Sequence, residues 1–332
     1  MFLSSEDKVF FHIGLPKCAS TTLQKHLFCN LETIQNFGLY PINNIAGSNK
    51  VGNVKNAVFL ENPQLFQFYK LLHNNRSVSD DELHSLWKEV VQTSRDEKYL
   101  GVLLSHEAMT SHFFSTNTQQ EKARRIHSLF PEAEILIVIR NQEDWLRSQY
   151  TDHPFDPHKL GSGSPLSFDE WVDTFLNSEA LVNAREALCY SKLISNYADL
   201  FGSSQIHVAI FEDLVHQPKD FYHSLASYLG VSDDFIAHCL SKKHENRGLS
   251  HLYNVARQSA RAKKSKVTLA DKIRSIVLGQ AILKTLPKKK YPLRSTTLQQ
   301  LSTYYGKENE KISKQVLIDA YDYPGMNRKV DV

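Results

Sequence analysis

Sulfur is scarce in this chain, and long apolar runs are missing. Four cysteines in 332 residues, Cys18, Cys29, Cys189 and Cys239, show no metal-type spacing and are too few to staple so long a chain. A disulfide scaffold is therefore excluded. No apolar segment reaches the roughly 20 residues that a membrane-spanning helix needs. The opening MFLSSEDKVFF has neither a basic stretch nor a sustained apolar one, so it does not read as a secretion signal, and a cytoplasmic protein is expected. Internal repeats and low-complexity tracts are also absent. Overall charge is close to balanced, with 39 Lys and Arg against 36 Asp and Glu, a net of +3. No recognised nucleic-acid-binding module accompanies that charge, so nucleic acid is not an expected partner.

What is present is an alternation. Apolar, β-rich runs at residues 9–14, 99–105, 135–140 and 206–211 read as strands. Helical patterns fall over 22–31, 63–73, 80–94, 119–130, 168–176 and 186–201. Strands alternating with helices predict an α/β fold in which a central, mainly parallel sheet is flanked by helices in three layers. One domain over 1–332 is expected. Ligands of such sheets sit at the carboxyl ends of the strands.

The stretch FFHIGLPKCASTTLQ (10–24) places a turn, Gly14-Leu15-Pro16-Lys17, between the first strand and the first helix. A strand feeding a tight loop onto a helix start aims backbone N–H groups and the positive helix end at one point, which suits phosphate or sulfate. Lys17 adds a point charge, and Ser20, Thr21 and Thr22 add hydroxyl donors. Cys18 lies in the same loop, either as a thiol acidified by the helix start and Lys17 or as a small filler of the turn. The nucleoside-triphosphate loop G-x-x-x-x-G-K-[ST] is not present: counted from Gly14, its last three places hold Ala19, Ser20 and Thr21.

A second anion element follows the run EILIVI (134–139), which is apolar enough for a strand buried on both faces. It ends in Arg140, and a helical pattern then carries Ser148 eight positions later. An Arg at a strand end and a Ser two turns into the next helix can converge on one phosphate, the Arg as a bidentate fork and the Ser as a directional donor.

The loop P-K-x-A-S-T and the Arg140…Ser148 pair, in this order, resemble the two phosphate motifs of sulfotransferases that use 3′-phosphoadenylyl sulfate (PAPS). QIHVAIFEDL (205–214), a helix ending at Gly230, HENRGLS (244–250) and the terminal YDYPG are similar to the same family, in particular to bacterial carbohydrate sulfotransferases. The resemblance covers most of the chain. It implies a P-loop-like fold in which Lys17, Cys18, Ala19, Ser20, Thr21 and Thr22 face the 5′-phosphosulfate. Arg140 and Ser148 would hold the 3′-phosphate, with Arg247 and Gly248 as its second contact. It implies PAPS as donor, adenosine 3′,5′-bisphosphate as product, no metal, and a carbohydrate or polysaccharide hydroxyl as acceptor. Lys17 is then catalytic as well as binding. The family places a His or Glu at the end of the neighbouring strand, and here YLGVLLS (99–105) is followed by His106 and Glu107, with Glu107 favoured as general base. His12, mid-strand, is either a further candidate or a core histidine.

One asymmetry falls outside these motifs. Residues 257–294 carry twelve Lys or Arg against the single acid Asp271, a net of +11 that leaves the rest of the chain at −8. Apolar residues there fall near helical spacing, so this is a basic amphipathic helix. It either meets an anionic membrane surface or lipid-linked acceptor, or packs on the core with a solvated basic face. Two other classes share some of these features. A P-loop kinase-like enzyme would need the missing lysine geometry and an acidic magnesium ligand. A non-catalytic anion- or membrane-binding module would not need the Arg140…Ser148 pair.

Overall fold

Apolar runs too short for helices and too uniformly apolar for a half-solvated sheet become the inner strands of a parallel sheet. The computed structural model of the chain describes residues 8–28, 39–43, 67–68, 71, 78–94, 101–105, 117–158, 164–240, 291, 293–314 and 323–324. Five strands, β1 (Lys8–His12), β2 (Leu39–Asn43), β3 (Gly101–Ser105), β4 (Glu134–Ile139) and β5 (Ile206–Ile210), form one sheet in the order β2-β3-β1-β4-β5. Every pairing is parallel. The chain moves outward from β1 to β2, returns to β3, then crosses β1 to reach β4. The order therefore reverses around β1, where such sheets open a ligand crevice.

Adjacent residues of β1 show the three layers directly. Phe10 meets the Tyr228 ring edge-on at 5.4 Å on one face, and Phe11 meets Phe130 at 5.7 Å on the other. The helices are α1 (Ser20–Leu23, widening into a π turn over Gln24–Phe28), α2 (Asp80–Ser94), α3 (Gln119–Leu129), α4 (Gln142–Asp152), α5 (Phe168–Asn177), α6 (Val182–Glu186), α7 (Tyr190–Phe201), α8 (Phe211–His216), α9 (Pro218–Leu229), α10 (Asp233–Leu240) and α11 (Ser295–Ile312). On the Phe11 face α3 packs between α2 and α7, and α7 is covered in turn by α11. On the Phe10 face lie α9, α10 and the π turn after α1. The core is continuous, with Phe11, Ile135 to Ile139, Trp171, Tyr197 and Phe221 all sealed from solvent.

Local rules explain the helix ends. α3 and α5 begin in capping boxes, Thr118 with Glu121 and Ser167 with Glu170, each Ser or Thr oxygen accepting from the N–H three residues on. α9 opens on Pro218 and closes at Gly230, whose φ of 67° is a left-handed C-cap that favours glycine. Three sequence expectations shift. β2 is an additional, edge strand. The helix expected over 186–201 begins only at Tyr190, because Glu186 ends the short α6 and 187–189 separate the two. The first helix starts at Ser20 rather than Thr22, which brings Ser20 and Thr21 into its first turn. Among the described residues no helix is long and apolar enough to cross a membrane. Apart from 291, 293 and 294, the basic stretch 257–294 lies outside the described residues, as do 63–66.

Candidate active site

The loop after β1 is built by four consecutive constraints. Pairing with β4 runs one residue past β1, as the Ile13 N–H donates to the Leu136 carbonyl at 3.0 Å. Gly14 comes next, fully packed: a Cβ there would sit 2.6 Å from Nε2 of His12, so no larger residue fits. A turn follows in which the Cys18 N–H donates to the Leu15 carbonyl at 3.2 Å, with Pro16 in its second place and Lys17, at φ 69°, in its third. That is the geometry of a type II turn, whose third place favours glycine. Ala19, at φ 61°, is also left-handed and caps α1 with no side-chain bond. Two non-glycine residues in this region within three positions cost about 1–3 kcal/mol each, and such strain concentrates at ligand clamps.

The strain is held by the β4–α4 unit. Trp145 Nε1 donates to the Pro16 carbonyl at 2.7 Å, and Arg140 Nη1 donates to the Lys17 carbonyl at 2.7 Å. The Lys17 ammonium is ion-paired with Asp152 at the far end of α4. Trp145, Ser148 and Asp152 follow one another at i, i+3 and i+7, so they share one helix face. Trp145 and Asp152 both touch the loop, and Ser148 therefore faces it too. Ser148 is half-buried, with no hydrogen bond to its hydroxyl among the described residues. The loop and the Arg140…Ser148 pair, recognised separately in the sequence, thus form one site.

Arg140 is anchored on several sides. Its backbone N–H and carbonyl both meet the Tyr190 hydroxyl, and its guanidinium lies over the Phe211 ring, 4.3 Å from the centroid. With Nη1 committed to Lys17, Nε is buried with no partner among the described residues. An unmet buried donor on a cation costs more than the 1–3 kcal/mol typical of a neutral group. An anionic oxygen is the partner that such a donor fits.

Behind Arg140 a polar network locks the β4–α4 junction. Glu212, just after β5, accepts from the Asn141 N–H at 3.0 Å and from the Tyr323 hydroxyl at 3.0 Å. Burial raises its pKa, while those bonds and the Arg140 charge pull it back. Gln142 donates to Asn309 Oδ1 of α11 at 2.8 Å, and Asn309 Nδ2 donates to the Pro324 carbonyl at 2.8 Å. Glu212 at the start of α8, with Tyr323 and Pro324, therefore braces the junction that aims Arg140. Glu212, Tyr190, Trp145 and Asp152 were not read from the sequence as site residues. For Asp152 a signal existed: it is an acid in the last turn of a helix, where no basic residue accompanies it.

The remaining sequence candidates divide by placement. Ser20 and Thr22 are buried, and Thr21 is the half-exposed hydroxyl of the three. The Cys18 side chain is wholly buried and its N–H closes the turn, so the thiol fills the loop from within. That is the filler reading. His12 is a core histidine. Its Nδ1 lies 2.8 Å from Ser105 Oγ, which also accepts from Gln24 Nε2 at 3.0 Å. Burial lowers the His12 pKa to about 3, so the ring is neutral at physiological pH. His106, Glu107, Arg247 and Gly248 lie outside the described residues.

The contact between His12 and Gly14 makes a stability prediction. Gly14→Ala should lower unfolding stability by about 1–3 kcal/mol, as overpacking does. His12→Ala in the same chain should relieve most of that penalty, because the clash is with the ring. Urea unfolding of the two single variants and the double variant measures the coupling. Strict additivity would show that the ring does not constrain position 14.

The solved structures similar to the chain include two sulfotransferases. A sulfotransferase from Alicyclobacillus acidocaldarius is 21% identical with a TM-score of 0.40, covering 76% of this chain and 93% of that one. The sulfotransferase domain of the Synechococcus PCC 7002 olefin synthase is 13% identical with a TM-score of 0.36, covering 85% and 97%. No curated protein matches. Residues 10–234, which span both anion elements and most of the sheet, match the family model described as "Sulfotransferase family", and the chain belongs to that family.

Proposed function

We propose that the protein transfers the sulfuryl group of PAPS to an acceptor hydroxyl, that of a carbohydrate or polysaccharide. The observation that carries the donor reading is Arg140: an anchored guanidinium with a buried, unmet Nε, beside a Ser148 that faces the same loop. When bound, PAPS supplies a sulfuryl group on a phosphate leaving group. Arg140 and Ser148 would hold its 3′-phosphate, and Lys17 with the N–H groups that open α1 would hold its 5′ side. Placing fixed N–H dipoles and one cation where charge collects on the leaving oxygen stabilises the transition state more than the ground state. Arg247 and Gly248, from the family resemblance, would add a second contact on the 3′-phosphate. The reading calls for no metal. The acceptor class rests on the similarity to bacterial carbohydrate sulfotransferases, and contact of 257–294 with a lipid-linked acceptor or an anionic membrane is consistent with it.

Adenosine 3′,5′-bisphosphate should raise the melting temperature without added metal, by linkage, and ATP, which lacks a 3′-phosphate, should do much less. Arg140→Ala should remove about 1.5–3 kcal/mol of that binding, the range for a bond to a charged group. Equal stabilisation by both nucleotides, or a requirement for magnesium, would overturn the reading in favour of a kinase-like enzyme. Labelled PAPS offered with a panel of capsule and lipopolysaccharide fragments identifies the acceptor. Transfer only to amines or small phenols would overturn the carbohydrate assignment.

A further inference from the structure

We propose that Asp152 is the resident counter-anion of Lys17, holding the ammonium beside the loop and exchanging it for the 5′-phosphate group of the donor nucleotide; the inference rests on the PAPS reading. Lys17 has a fixed backbone and a long side chain. Its φ of 69° and the Arg140 bond to its carbonyl hold the backbone, whereas the four-carbon stem can swing. Asp152 receives the ammonium at the carboxyl end of α4, on the helix face that also carries Ser148.

Asp152 is not placed there for the helix. A carboxylate in a last turn opposes the helix dipole, and no basic residue in that turn offsets it. A residue that breaks a local rule while contacting a site is where function is expected. Each side chain of the pair keeps 32% of its exposure, so ligand can reach it and opening it needs no deep desolvation. Ion pairs this exposed are weak. The donor's 5′-phosphosulfate carries two negative charges spread over its phosphate and sulfuryl oxygens, and the product's 5′-phosphate carries close to two, so either is a stronger partner for one ammonium than a single carboxylate. Asp152 is thus a positioning residue: it keeps Lys17 aimed at the loop, and it competes with the product for that lysine.

Nucleotide affinity of Asp152→Asn tests the exchange. Adenosine 3′,5′-bisphosphate should bind roughly two- to tenfold more tightly, the scale set by a half-exposed ion pair. Adenosine 3′-monophosphate, which has no 5′-phosphate, should bind unchanged, and Asp152→Glu should restore the wild-type value. Weaker binding of the bisphosphate, or an equal change for both nucleotides, overturns the exchange in favour of a purely structural pair. If the wild type binds neither nucleotide, the PAPS reading fails by itself and inorganic sulfate decides the exchange. Greater thermal stabilisation of Asp152→Asn than of wild type by sulfate then supports it, and equal stabilisation overturns it.

Discussion

Lys17→Ala should lower kcat by about 10²–10³-fold, the usual cost of removing one group that stabilises charge developing in the transition state. Binding of adenosine 3′,5′-bisphosphate should fall much less, because the Arg140 side of the nucleotide is untouched. The ion pair adds a complication. Without Lys17, the Asp152 carboxylate loses that ion pair but keeps its charge at the loop, and part of any affinity loss will be repulsion rather than a lost contact. Lys17→Ala combined with Asp152→Asn separates the two. The double variant should regain affinity for the bisphosphate while its kcat stays low. Unchanged turnover in Lys17→Ala would remove the lysine from the chemistry. Recovery of turnover in the double variant would show that the defect had been electrostatic repulsion.

Much of this architecture was legible because burial on both faces leaves an uninterrupted apolar run. Glu134 to Ile139 shows its strand character in that way, whereas Ile206 to Ile210, an edge strand half-buried over its first three residues, shows it by its β-branched residues around His207. The helical patterns read from 119 and 168 begin where α3 and α5 begin, directly after their capping boxes. β2 was not legible for the converse reason. LYPIN has a proline in its centre and only one hydrogen-bonded neighbour, β3, so it is an edge strand that tolerates what an inner strand cannot. Both anion elements were visible as local patterns, each a strand followed by donors. Their junction was not. Trp145 on Pro16, Arg140 on Lys17 and Asp152 on Lys17 span 123 to 135 positions, and no local spacing encodes contacts that distant. The inward turn of Cys18 has the same origin. It follows from left-handed backbone at Lys17 and Ala19, neither of which is a glycine that would have announced it.

Glu107→Gln is expected to lower kcat by about 10²–10⁴-fold, the range for loss of a general base. The sheet places the strand that ends two positions before Glu107. β3 lies directly beside β1, with Ser105 opposite His12, and the Ser105 hydroxyl is tied to both His12 and Gln24 beneath the anion loop. The last residue of β3 is therefore fixed beside the loop that would receive the donor, and Glu107 follows two positions later. Gln keeps the size and some of the hydrogen bonding but cannot take the acceptor proton. Affinity for adenosine 3′,5′-bisphosphate and the melting temperature should stay at wild-type values, since the proposed role is on the acceptor side. A lower melting temperature would instead assign Glu107 to a helix cap. His106→Gln is the control: loss of turnover there, with Glu107→Gln active, reverses the assignment. If both variants keep full turnover, neither is the base. The neutral, buried ring of His12 makes a poor substitute, so the exposed His153 at the end of α4 is next to be tested.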